Sequence, residues 1–163
     1  MPAARKSWIR AALIAVAAVV AVVGGFRFWS ADGGAEAAVR LRPDDAAVIA
    51  LGQKIHAAQC ASCHGVRLEG QPNWRERGPD GRLPAPPRDA SGHTWHHPDE
   101  VLFRITKLGV ARAANLKDYA SAMPAYEGVL SDAEIVAVLS WIKAQWPPAI
   151  RAKHDELSRT PSR

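Results

Sequence analysis

Cys60 and Cys63 are the only thiols in 163 residues, and His64 follows the second of them directly. Two thiols three positions apart with an adjoining imidazole support three chemistries: a short disulfide, half of a zinc site, or the covalent anchorage of a haem. A disulfide across three positions closes so small a loop that it removes little chain entropy. A structural zinc wants four ligands, and the chain has no second cysteine pair to supply them. Cys-x-x-Cys-His suits a porphyrin. Two thiols about one helical turn apart meet the two vinyl groups, and the next residue projects its imidazole onto the iron. A haem that carries electrons needs a sixth ligand as well, and the only methionines are Met1 and Met123. Met123 stands in "SAMPAYEG", where the following Pro124 restricts the backbone and helps to hold the sulfur in place.

The elements that must position these groups are helices. Asp44 or Asp45 can cap a helix carrying Val48, Leu51, Gly52 and Ile55, which runs straight into the cysteines. Near the other end, "LSDAEIVAVLSWIKAQWPP" opens on Ser131 and Glu134 as a capping box. It carries Ile135, Val138, Leu139, Ile142 and Trp146 on one face and stops at Pro147 and Pro148. A third helix opens at Pro98, with Asp99 and Glu100 in its first turn and Val101, Leu102, Ile105 and Leu108 behind them; Gly109 ends it. Residues 66–98 are rich in proline and glycine and have no periodic pattern. A loop this long is out of place in a compact domain unless it wraps something large, such as a prosthetic group. No strand is convincing, so the expected fold class is all-α: a few helices joined by long loops around one haem.

Ahead of this domain, Arg5, Lys6 and Arg10 precede sixteen residues without a charge, Ala11 to Phe26. Sixteen helical residues rise about 24 Å, short of a bilayer core of about 30 Å. If Arg10 and Arg27 snorkel, the span from Trp8 to Trp29 reaches about 33 Å with an aromatic at each interface. Residues 1–29 are therefore read as an N-terminal transmembrane anchor, with a cleaved signal peptide as the rival. The basic residues before the span put the N-terminus in the cytoplasm and the haem domain on the outer, periplasmic side of the cytoplasmic membrane. Residues 30–45 read as a flexible tether, 46–146 as the haem domain and 147–163 as a basic polar tail in which His154 is solvated.

The charge pattern limits the partners. Lys and Arg exceed Asp and Glu by two over residues 1–45 (six against four), by one over 46–146 (eleven against ten) and by two over 147–163 (four against two). The near-neutral domain lacks the basic stripe of a nucleic-acid binder. His93, His96 and His97 gather around Trp95 in "SGHTWHHPDE". A surface loop before a helix accounts for them, and a secondary copper or zinc site or a docking patch is the sharper alternative.

From Ala46 to Trp146 the chain resembles a class I c-type cytochrome of the small, membrane-anchored bacterial kind. Three features carry the likeness: Gly52 eight residues before "CASCHG", the Met-Pro-x-aromatic turn at Met123 to Tyr126, and "LSDAEIVAVLSWI" after it. The resemblance implies one covalently attached haem c, with thioethers at Cys60 and Cys63, His64 as proximal ligand and Met123 as distal ligand. It also implies that the first and last helices cross, with Gly52 close to an aromatic that Trp141 could supply, and that Pro86 or Pro87 accepts a hydrogen bond from the proximal imidazole. One departure stands out: His56 occupies the place where the family has Phe or Tyr. The function expected is one-electron transfer in a membrane-associated chain, with redox proteins as partners and no small-molecule substrate. The alternatives are a haem-bearing subunit of a larger oxidoreductase, or a peroxidase or gas-binding protein with a labile Met123.

Overall fold

The computed structural model describes residues 38–159. The anchor read at residues 1–29 and the tether up to residue 37 lie outside them. Among the described residues no helix is long and apolar enough to cross a membrane, and no strand forms.

Helix α1 (Ala46–Ile55) starts where the Asp45 carboxylate accepts from the backbone N–H groups of Ala47 and Val48, so Asp45, not Asp44, is the cap. It passes through a π-helical turn (His56–Cys60) into the short α2 (Ala61–His64), which Gly65 ends with φ near 79°. An extra residue in a turn re-aims the side chains that follow, and such turns collect at functional sites. Here it falls immediately before the two thiols.

Helix α3 (Asp99–Leu108) has Pro98 as its N-terminal cap residue and stops at Gly109. The short α4 (Val110–Ala113), not foreseen from the sequence, follows directly. Helix α5 (Asp132–Ala144) carries the full capping box: Ser131 Oγ accepts from the Glu134 N–H, and the Glu134 carboxylate accepts from the Ser131 N–H at 2.8 Å. Ile135, Val138, Leu139 and Ile142 are all buried on it.

The core forms where α1 crosses α5. A Cβ on residue 52 would collide with the Ala137 carbonyl oxygen and lie 2.8 Å from Trp141 Cβ, so only glycine permits this approach. Leu41, Val48, Ile55, Leu68, Leu102, Phe103, Ala137 and Trp146 complete the cluster.

The long loop before α3 is held by its own backbone. Gly70 N–H bonds to His64 O, Gln71 N–H to Ala85 O, and Arg88 N–H to Leu68 O, each at 2.8 Å. Gly70 has φ near 69°, and a Cβ there would run into the Pro86–Pro87 peptide. The loop thus doubles back to place Pro86 against the end of α2.

The C-terminal segment corrects the reading of a polar tail with a solvated His154. Pro148–Arg159 form helix α6, opened by a proline at its first position, and His154 is completely buried on it. Its Nε2 donates to the His97 carbonyl at 2.9 Å, and its ring meets Trp146 edge-on. Lys143, on α5, is buried between Asp99 and Asp155, with the Asp155 contact at 2.5 Å. Arg151 pairs with Asp44 at 2.6 Å, and Arg40 donates to the Ser158 carbonyl. Leu41 N–H donates to Asp99 at 2.9 Å, so the end of the segment read as tether is docked as well.

Candidate haem site

His64 closes α2 with its side chain almost wholly inside the protein, 6 % exposed. Its Nδ1–H donates to the Pro86 carbonyl at 2.9 Å, which identifies Pro86, not Pro87, as the acceptor. That bond fixes the tautomer and leaves the Nε2 lone pair for a metal. Burial, and after it the Arg88 guanidinium, lower the His64 pKa to about 4. The imidazole is therefore neutral at physiological pH, the form that ligates iron.

Neither Cys60 nor Cys63 is in a disulfide; Cys60 is half-buried and Cys63 exposed. Burial pushes the Cys60 thiol up, which keeps it protonated. Tyr126, the aromatic of the Met-Pro-x-aromatic turn, lies beside it and donates from its hydroxyl to the Gln59 carbonyl at 2.8 Å. The same turn is tied to the end of α3 by Tyr126 N–H to Thr106 O and Glu127 N–H to Lys107 O. Met123 is half-buried, and its Sδ accepts from the Arg88 guanidinium at 3.3 Å.

Arg88 relates these groups to one another. Besides touching the Met123 sulfur, its charge acts on His64, Cys60, His56 and Tyr126. The imidazole and thiol of the Cys-x-x-Cys-His run therefore feel the same buried guanidinium that the thioether of Met123 touches. Sequence reasoning passed over Arg88, because nothing in "PAPPRDA" tells a buried arginine from a solvated one.

His56 resolves the departure from the family pattern. It is 2 % exposed, and its ring lies 4.5 Å from that of Trp141, inclined by 34°. The flat imidazole thus packs as an aromatic at the α1–α5 crossing, and burial lowers its pKa so that it stays uncharged. The other histidines do not gather as ligands. His96 stacks on Trp95 at 3.6 Å, and His93 lies parallel to Trp74 and meets His97 edge-to-face. Among the described residues no group of three or more His, Cys, Asp or Glu side chains could hold a metal ion.

The donor set fits a haem: two thiols one helical turn apart, an imidazole with a free Nε2, a thioether across a common neighbour, and a buried cation whose Nε has no hydrogen-bond partner. An all-helical domain entered through Cys-x-x-Cys-His in this way is a class I c-type cytochrome. The family model described as cytochrome c oxidase, cbb3-type, subunit III matches residues 47–142, and the chain belongs to that family. It carries covalently bound haem c with its iron. No curated protein and no solved structure matches the chain.

Proposed function

We propose that the protein is a one-electron carrier with a single haem c, attached through Cys60 and Cys63 and ligated by His64 and Met123. The observation that carries this reading is the Arg88 guanidinium, bonded to Met123 Sδ and electrostatically coupled to His64 and Cys60, since it draws the lone candidate thioether to the interior faced by the attachment motif. The bound iron supplies the chemistry, changing its oxidation state by one. The chain's own residues hold the geometry. Pro86 keeps the His64 proton on Nδ1 and orients the ring, while the backbone bonds of Tyr126 and Glu127 to α3 fasten the loop that carries Met123. A thioether opposite an imidazole favours the ferrous state and raises the potential relative to a second imidazole. Iron held by both His64 and Met123 would leave no site open for substrate.

A subunit role within a larger oxidoreductase is the second reading, favoured by the description of the family itself. It is compatible with the same site, the redox partner then being another subunit. Under either reading residues 1–29 are proposed to anchor the domain in the cytoplasmic membrane, on its periplasmic side.

Adding carbon monoxide to the reduced protein tests the site. An unchanged spectrum is the expected result. Prompt binding would contradict a firmly held Met123 and point to a gas-binding or peroxidase function. Co-purification of the full chain with other membrane subunits would favour the second reading over a free carrier.

A further inference from the structure

We propose that Arg88 receives one carboxylate of the porphyrin, serving as the counter-ion that the polypeptide itself does not provide. The proposal rests on the haem occupying the interior beside His64, and does not require Met123 to be the distal ligand.

Arg88 is 9 % exposed. Its only side-chain hydrogen bond goes to a thioether sulfur, a weak acceptor, and its Nε has no partner at all. Among the described residues no carboxylate stands within ion-pair distance of it. Acidic side chains of the loop are used elsewhere: Glu69 accepts from the Arg67 N–H, Asp80 from the Arg82 N–H, and Asp89 from the N–H and hydroxyl of Ser91.

Guanidinium does not shed its proton in proteins, so it cannot escape burial by becoming neutral as a lysine or histidine does. A buried charge without a partner is expensive, and native proteins pair such groups. The titratable groups that feel the Arg88 charge, namely His56, His64, Cys60 and Tyr126, are not carboxylates and do not offset it. The ring that attaches beside it carries two carboxylates, and a guanidinium fork matches a carboxylate with two parallel hydrogen bonds. The main chain at Arg88 is held on both sides, since its N–H donates to Leu68 O and its C=O accepts from Trp146 Nε1 at 2.8 Å. The side chain alone is left to reorient from the sulfur to the carboxylate.

A crystal structure of the haem-loaded full chain, together with reduction potentials of Arg88→Leu and Arg88→Lys, tests this. The proposal expects guanidinium nitrogens within hydrogen-bond distance of a haem carboxylate. It also expects a clear downward shift of potential in Arg88→Leu, where an unneutralised carboxylate favours the ferric state, and recovery of most of that shift in Arg88→Lys. An Arg88 that stays on Met123 Sδ, or an Arg88→Leu potential equal to that of the parent, overturns it. Loss of the ferric methionine-to-iron charge-transfer band with an unshifted potential would mean that Arg88 serves the sulfur instead, which also overturns it. If Arg88→Leu does not fold, the crystal structure of the parent and the Arg88→Lys potential still decide. A parent protein without covalent haem would show instead that the haem assignment itself had failed.

Discussion

Two regions of this domain bury charge in opposite ways. Beneath α6, the protein matches its own charges. Lys143, 3 % exposed, lies between Asp99 and Asp155, and Asp99 also accepts from Leu41 N–H and Ser158 Oγ. Beside the attachment motif, Arg88 is buried with no carboxylate at hand and a single sulfur contact. In the first arrangement the carboxylates that offset the buried lysine come from the polypeptide itself, and they fasten helices together. Under the proposal made above, the second becomes complete only when a carboxylate of the haem enters, beside the residues proposed to hold the ring, Cys60, His64 and Met123. A buried charge with no carboxylate beside it is the feature on which the proposed cofactor contact rests.

The comparison can be broken from either side. On the unmatched side the largest effect is expected from His64→Ala, which should remove haem ligation and the native visible spectrum while α6 stays docked; retention of the parent spectrum would refute the proximal role. On the matched side Asp99→Ala should cost about 3 kcal/mol, since it orphans the buried Leu41 N–H and leaves Lys143 with the half-exposed Asp155 alone. Denaturant unfolding of the haem-loaded variant measures it, and a loss below 1 kcal/mol (about a fivefold change in equilibrium constant) would show that the pairing is not what holds α6. Trp141→Ala, which touches neither set of charges but empties the α1–α5 crossing beside His56, should cost about 3 kcal/mol, the lower end of the range for a large aromatic because the ring is half-buried.

The smallest effect expected is a pH dependence of the matched region. Burial, followed by the Lys143 charge, lowers the His154 pKa beneath its ordinary 6.5, with Asp99, the His97 carbonyl and Asp155 opposing. Below 6.5 the unfolded chain takes up a proton that the folded one refuses. Stability therefore rises with pH through that range and is lost as pH falls through it. The thermal midpoint of the haem-loaded protein should drop on acidification, and His154→Gln should flatten that drop. An equally steep drop in the variant would assign the dependence to another group.

What could be read from the chain divides along the same line. The thiols, the imidazole and the helix leading into them declare themselves locally, as do the capping box at Ser131 and the stop at Gly109, because each depends on neighbours a few residues away. Gly52 was legible through its family likeness, and the collision a Cβ would make with α5 supplies the reason. Choosing between Pro86 and Pro87 required the fold, since adjacent prolines differ only in where their carbonyls point once Gly70 lets the loop double back. His56 departs from the family in residue type yet keeps its role, because packing at the crossing needs a flat ring more than a hydrocarbon one. The α6 helix was missed for a different reason. "PAIRAKHDELSR" has too few apolar residues to announce a buried face, and what docks it are partners far away in sequence: Asp44, His97, Asp99 and Lys143. Arg88 was missed likewise, its burial being a property of the loop as a whole.

The reduction potential of Met123→Leu, read against the parent with its spectrum, tests the central claim most directly. A sharply lower potential, with an iron newly open to added ligands, is the result expected if the Met123 sulfur is the distal ligand. A variant with the parent's potential and spectrum would contradict it.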